Sequence, residues 1–312
     1  MAKVFSGAGV ALVTPFLDDG YVDWSQLRSN ITFQLEHKTD AIIVCGTTGE
    51  ASTMTHEEQI SVISFCVNVV EGRVPVIAGT GSNCTREAVE LSKKAQAVGA
   101  DALLVVTPYY NKATQEGLYK HYMEIDSAVS IPIILYNIPG RTGGVNIEPK
   151  TILRLVENSS NICAIKDATG NISQVAEMMS LVGDRIDLYS GNDDQVVPIL
   201  SLGGSGVISV LSNIAPEYVH NMCEAYFNGN TKASCELQLK AVPLIKALFC
   251  EVNPIPVKSA MNIQGQNAGD PRMPLTPMTD SGLKKLKPAL QNFFKYCREN
   301  QDITGNNPEH II

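Results

Sequence analysis

Two kinds of segment alternate along the chain. Short runs rich in Val, Ile and Leu recur, each followed by a longer stretch of helical period. In order, the short runs are "GVALVTP", "AIIVCG", "VPVIAG", "DALLVVTP", "IPIILYNIP", "ICAIK", "IDLYSG" and "GVISVL". None alternates apolar with polar residues. All are apolar throughout, the pattern of parallel strands covered on both faces. Longer stretches such as "HEEQISVISFCVNVV" and "TREAVELSKKAQAV" read as helices; in the second, Ala88, Leu91, Ala95 and Val98 fall on one face. Strands alternating with helices predict a parallel α/β sheet. Eight such units predict a closed (β/α)8 TIM barrel. An open doubly wound sheet is the competing architecture, but "VTPFLDD" rather than a Gly-rich phosphate turn follows the first run, and there is no Walker loop.

After "FNGN" the rhythm stops. The segments "ASCELQLKAVPLIKALF", "PIPVKSAMNIQG" and "DSGLKKLKPALQNFFKYCREN" read as helices separated by Pro, Gly and Asn. The predicted organisation is therefore a catalytic barrel over 1–230 and a C-terminal helical region over 231–312, its tail "ITGNNPEHII" frayed. The helical context of "PLIKALF" and "PIPVKSA" places Lys246 and Lys258 on amphipathic faces.

Charge and composition exclude several classes of function. The 312 residues carry a formal charge of -8, which argues against nucleic acid or an anionic membrane as partner. No apolar run approaches the ~20 residues that span a bilayer, and the N-terminal run meets Asp18 and Asp19 too soon for a secretory signal. Eight cysteines include no C-x-x-C pair and mostly sit in apolar runs, as in a reducing, cytoplasmic setting. The five histidines show neither H-x-x-x-H nor H-E-x-x-H spacing, so no metal site is expected.

Barrel chemistry sits at the C-terminal ends of the strands. Those ends here read "GTTGE", "TPYYNK", "YNIPGRTG", "KDATG", "SGNDD" and "VLSN". Among them Lys166 closes a buried run, where an ammonium is costly unless it is paired or loses its proton. The bland reading is a lysine that snorkels to the rim or pairs with Asp167. The sharper one is a neutral amine that attacks a carbonyl to form an imine, an electron sink for the adjoining carbon. Thr47 and Thr48 offer hydroxyls and N–H groups for a carboxylate, or simple turn chemistry. Tyr136 suits proton transfer, or is a satisfied core tyrosine. Arg141 suits a bidentate carboxylate clamp, or is a solvated loop arginine.

Taken together, "GTTGE", "TPYYNK", "YNIPGRTG", "IKDATG", "SGND", "GVISV", "NPIPVK" and "PLTPMTDSGL" resemble, in order and over nearly the whole chain, the dihydrodipicolinate synthase family. This is a Schiff-base (β/α)8 family allied to N-acetylneuraminate lyase. The resemblance implies condensation of pyruvate with aspartate 4-semialdehyde on the way to diaminopimelate and lysine, with no cofactor beyond a covalent imine through Lys166. It implies Tyr136 as proton donor and acceptor, linked through Thr47 to Tyr110 of a neighbouring subunit. Thr48 would hold the pyruvate carboxylate and Arg141 that of the aldehyde, with Gly191 and Ile208 lining the pyruvate pocket. A homo-oligomer is implied, a tetramer built as a dimer of dimers. A lysine-binding cleft separate from the pyruvate site would use Ala51, Ser52, His56, Gln59, Asn83, Glu87 and Tyr109. Gln59 departs from a histidine frequent in inhibited members, Ala113 from a proline, and "RTGGV" carries an extra glycine. A related 2-oxo-acid aldolase would share the imine, and "GRTG" speaks against it. A catalytically silent metabolite-binding barrel is opposed by the joint presence of Thr47, Tyr136 and Lys166. A phosphate-binding barrel built on "LGGSG" fails because those glycines precede the last strand, at the wrong end.

Overall fold

In the computed structural model, which describes residues 3–301, each of the eight apolar runs is a strand. The first half of the chain lays down β1 (Gly7–Ala11), α1 (Trp24–Glu36), β2 (Ala41–Val44), α2 (His56–Val70), β3 (Val76–Gly79), α3 (Thr85–Ala97), β4 (Ala102–Val106) and α4 (Gln115–Asp126). The second half repeats the rhythm with β5 (Ile133–Asn137), α5 (Pro149–Asn158), β6 (Ile162–Asp167), α6 (Ile172–Val182), β7 (Asp187–Ser190), α7 (Val196–Ser201), β8 (Gly206–Ser209) and α8 (Pro216–Phe227). Neighbouring strands pair in sequence order and in parallel, and β8 returns to β1, closing the barrel. At that seam Gly7 faces Gly206, where an added Cβ would stand 1.9 Å from the Gly7 carbonyl oxygen. Only glycine lets the two backbones meet there.

The unbroken apolar runs are explained by the two clusters they feed. Ile42, Ala78, Leu103, Leu135, Ile165 and Leu188 pack outward with helix residues such as Leu27, Ile63, Ala88, Leu118 and Ile152. Ile43, Ile77, Leu104, Ile134, Tyr136, Ala164, Tyr189 and Ile208 form a second cluster, the barrel interior. Residues two apart on a strand share a face, so Lys166 follows Ala164 to the inner side. Local signals set the helix starts. Before α2, the Thr55 hydroxyl accepts from Glu58 N at 3.2 Å while Glu58 Oε2 accepts from Thr55 N at 3.0 Å. Such a reciprocal cap contributes about 1 kcal/mol.

The appended helices are α9 (Thr231–Leu248), α10 (Ile255–Ile263) and α11 (Asp280–Glu299). Leu237, Leu244, Val257, Leu286 and Phe293 join Tyr218 and Met222 of α8, and Ala8 and Val207 of the barrel seam, in one apolar cluster. The tail segment read as frayed lies outside the described residues.

Lys246 is exposed, as its helical pattern predicts, but Lys258 is not. Its side chain is 1% exposed and its Nζ lies 2.7 Å from Glu50 Oε1, with a further bond to the Asp270 carbonyl at 3.1 Å. Periodicity describes a residue's own helix, whereas the anion that makes this burial tolerable stands 208 positions earlier. The pair has a structural consequence, because Glu50 belongs to the turn after β2. Arg272 reinforces the same junction, donating its N–H to Glu50 Oε2 at 2.9 Å and its guanidinium to Glu58 at 2.7 Å. The C-terminal region is thereby fastened to the strand-two end of the barrel.

Candidate active site

Lys166 and Tyr136 are register partners on β6 and β5, both facing inward and both 6% exposed. The Lys166 Nζ lies 4.2 Å from the centroid of the Tyr136 ring. No carboxylate among the described residues forms an ion pair with it. Burial drives the Lys166 pKa down to about 7; Asp193 pulls it up and Arg141 pushes it down further. Burial likewise pushes the Tyr136 phenol up to about 12, against the nearby Arg141 charge and a hydrogen bond with the Thr47 side chain. At neutral pH the site therefore presents an amine about half neutral beside a protonated phenol. Lys166 neither reaches the solvent at the rim, being 6% exposed, nor pairs with Asp167, whose Oδ1 is engaged by the N–H and hydroxyl of Thr169 at 3.0 and 2.7 Å.

Gly191 closes the site on the β7 side. Its N–H bonds the Asp167 carbonyl at 2.6 Å, and a Cβ there would stand 2.7 Å from Ala168 Cβ and 3.1 Å from Lys166 Cε. Any side chain at 191 would press on the amine-bearing chain. Ile208, 1% exposed, adds an apolar wall from β8.

Thr48 and Arg141 come from different loops and meet at a third element. The Thr48 hydroxyl accepts from Asn253 Nδ2 at 3.0 Å, and Arg141 Nη2 donates to the Asn253 carbonyl at 3.1 Å. The Arg141 loop is shaped from below. Asn137 at the end of β5 bonds Asn146 Oδ1 at 2.8 Å and accepts from Ile147 N at 3.0 Å, while the Thr142 hydroxyl donates to the Ile138 and Val145 carbonyls.

A cavity of about 370 Å³ runs from this site toward the start of α2. Thr47, Tyr136 and Arg141 line one end; Ala51, Ser52, His56, Gln59, Glu87 and Tyr109 line the rest. The expected lysine-binding residues thus share this wall with Thr47, Tyr136 and Arg141, whereas Lys166, Thr48, Gly191 and Ile208, the residues expected around pyruvate, do not line it. Gln59 spends its amide on the preceding turn, donating to the Ala51 and Met54 carbonyls at 2.9 and 3.4 Å. Glu87 accepts from the Ser82 hydroxyl at 3.0 Å. Two further predicted residues stay outside. Asn83 is not part of the cavity wall; its carbonyl accepts from Asn111. Tyr110 is 88% exposed at φ +73°, so one chain does not bring it to Tyr136.

Two residues of the site went unread in the sequence, Asp193 and Asn253. Asp193 is 3% exposed; its Oδ2 accepts from Val210 N and Leu211 N, each at 3.0 Å, and its Oδ1 has no partner among the described residues. Burial raises its pKa, and the Lys166 charge opposes that rise. Its only signal was an acidic pair at the end of strand seven. No group of three or more His, Cys, Asp or Glu among the described residues is placed to hold a metal, and no helix among them is long and apolar enough to cross a membrane.

A closed parallel barrel that delivers a buried, half-neutral amine to the inner end of its sixth strand has the layout of an aldolase-type lyase. The model of the Dihydrodipicolinate synthetase family matches residues 4–293, and the chain belongs to that family. The 4-hydroxy-tetrahydrodipicolinate synthase of Caldicellulosiruptor saccharolyticus is 60% identical over 93% of this chain and 97% of its own. Among solved structures, the chloride-inhibited dihydrodipicolinate synthase of Acinetobacter baumannii, complexed with pyruvate, is 44% identical with a TM-score of 0.90, covering 93% of this chain and 99% of that one. The dihydrodipicolinate synthase of Cyanidioschyzon merolae with lysine bound is 39% identical with a TM-score of 0.91, covering 94% and 99%.

Proposed function

We propose that this chain is a 4-hydroxy-tetrahydrodipicolinate synthase, condensing pyruvate with aspartate 4-semialdehyde through an imine on Lys166. The observation that carries the mechanism is the Lys166 amine, buried on the inner barrel face with its pKa brought to about 7 beside Tyr136. The neutral amine adds to the pyruvate carbonyl carbon and water leaves, giving an iminium that acidifies the neighbouring methyl group. One of those protons departs by way of Tyr136, and the enamine carbon attacks the aldehyde. The resulting alkoxide regains a proton from Tyr136, and the semialdehyde's own amine closes on the iminium carbon, releasing Lys166. Thr48 would hold the pyruvate carboxylate and Arg141 the second one. The imine is the electron sink, so no further cofactor is needed.

Tyr110 suits the role of a proton relay only if supplied to a second copy, which its 88% exposure at a positive φ supports. We read the assembly as a homotetramer of two such dimers. The cavity wall of Ser52, His56, Glu87 and Tyr109 offers an anion for an α-amine and donors for a carboxylate, which suits lysine as a feedback inhibitor. Gln59 adds no charge there and is occupied by its own turn, so that inhibition should be weak and partial. All eight cysteines are free thiols, in keeping with the cytoplasm.

Borohydride reduction with pyruvate, followed by peptide mass mapping, tests the mechanism. One reduced adduct at Lys166 with parallel loss of activity is expected. An adduct elsewhere, or none, overturns it.

A further inference from the structure

Asn253 lies between α9 and α10, in the appended region rather than the barrel, and is 5% exposed. It is the first residue of the "NPIPVK" motif, and nothing in the reaction above uses it. It nevertheless touches both groups assigned to substrate carboxylates: its side-chain amide donates to Thr48 at 3.0 Å, and its main-chain carbonyl holds Arg141 at 3.1 Å. A hydroxyl has one proton and two lone pairs. With a lone pair of Thr48 taken by an amide N–H, its proton is left to donate elsewhere, as a carboxylate requires. The amide Oδ1 has no partner among the described residues, so Thr48 is the side chain's anchor.

A second pin fastens the same two segments. Five residues beyond Asn253, Lys258 pairs at 2.7 Å with Glu50, two residues beyond Thr48. The strand-two turn and the 253–258 segment are thus joined by a polar bond at one end and a buried ion pair at the other. We infer that Asn253 is a positioning residue that sets the Thr48 hydroxyl as a donor to the pyruvate carboxylate and ties it, through its own backbone, to the guanidinium that receives the second substrate. This rests on the function proposed above, and it gives the C-terminal region a part in substrate recognition.

The test is a double-mutant cycle in the full chain, read as KM and kcat for each substrate beside borohydride trapping. Asn253→Ala should raise the pyruvate KM about ten- to a hundredfold, the worth of one charge-assisted hydrogen bond. A smaller rise in the semialdehyde KM should accompany it, with kcat least affected. Asn253→Asp, which only accepts when ionised, should turn the Thr48 proton away from the substrate and raise the pyruvate KM further. In a Thr48→Val background, Asn253→Ala should leave the pyruvate KM where Thr48→Val alone puts it. Additive effects in that cycle, or a loss of kcat and unfolding midpoint with both KM values unchanged, would mark Asn253 as a structural joint and overturn the inference. Absence of the pyruvate adduct in the parent protein would instead overturn the function proposed above, and this inference with it.

Discussion

Lys166 and Lys258 are both buried, and each lays its Nζ 4.2 Å from an aromatic centroid, Tyr136 for the first and Phe16 for the second. Burial is the leading cause of a lowered pKa at each. Their surroundings then diverge. Lys258 has the Glu50 carboxylate at 2.7 Å and the Asp270 carbonyl at 3.1 Å, so its charge is matched and its position fixed. Lys166 has no such partner, and Arg141 disfavours its charge further. A buried lysine is therefore pinned where a carboxylate touches it, and left with an unpaired amine where none does. The two residues are chemically the same; their neighbours assign the roles.

Exchanging each lysine for methionine should separate those roles. Lys166→Met should abolish the pyruvate adduct and lower kcat/KM about 10³-fold or more, roughly 4 kcal/mol of barrier. It should not weaken the fold. Its folded-state pKa, about 7, lies below the ordinary 10.5, so the unfolded chain binds more protons across that window and the lysine's burden on stability is full below it and fades above it. Lys166→Met should therefore unfold at higher denaturant than the parent at pH 6, by a margin that narrows toward pH 10. Lys258→Met should do the reverse, still forming the adduct while losing about 3–5 kcal/mol, because Glu50 is left buried without its cation. Adding Glu50→Gln should return part of that loss. A Lys258→Met protein as stable as its parent, or a Lys166→Met protein that is destabilised at pH 6, would erase the distinction.

The comparison also explains what could be read in advance. The eight strands were legible because both faces of each are buried, which leaves an uninterrupted apolar signature. Lys166 was legible because it breaks such a run at its catalytic end. Lys258 was not, since helical spacing carries no information about a carboxylate 208 positions away. Asn253 and Asp193 share that opacity: the bond from Asn253 to Thr48 spans 205 positions and the one from Arg141 spans 112. The wall that Thr47, Tyr136 and Arg141 share with the residues around the start of α2 was illegible for a related reason, because loops from β2, β3, β4 and β5 meet there only in the folded chain. Tyr110 stays apart from the site in a single chain, 88% exposed.

The smallest expected effect concerns the charges that face Lys166 without touching it. In the parent, the rate of trapping by pyruvate and borohydride should rise with pH through a midpoint near 7, because only the neutral amine is nucleophilic. Tyr136 stays protonated through this range, its pKa being near 12, so Asp193 and Arg141 are the charged groups that set the midpoint. Asp193→Asn keeps the shape of the side chain and an oxygen for the Val210 and Leu211 N–H groups while removing the charge that favours the ammonium. The midpoint should fall, by up to about one unit or 1.4 kcal/mol. Arg141→Met removes the opposing charge and should raise it by a similar amount. Both shifts must be read in single-turnover trapping rather than turnover, where the part proposed for Arg141 in holding the second substrate would also enter. A midpoint that stays put in Asp193→Asn would mean that the buried carboxylate is already neutral, its pKa lifted by burial past the range of the lysine. Lys166 would then be the more sharply contrasted with Lys258, having no anion near it at all.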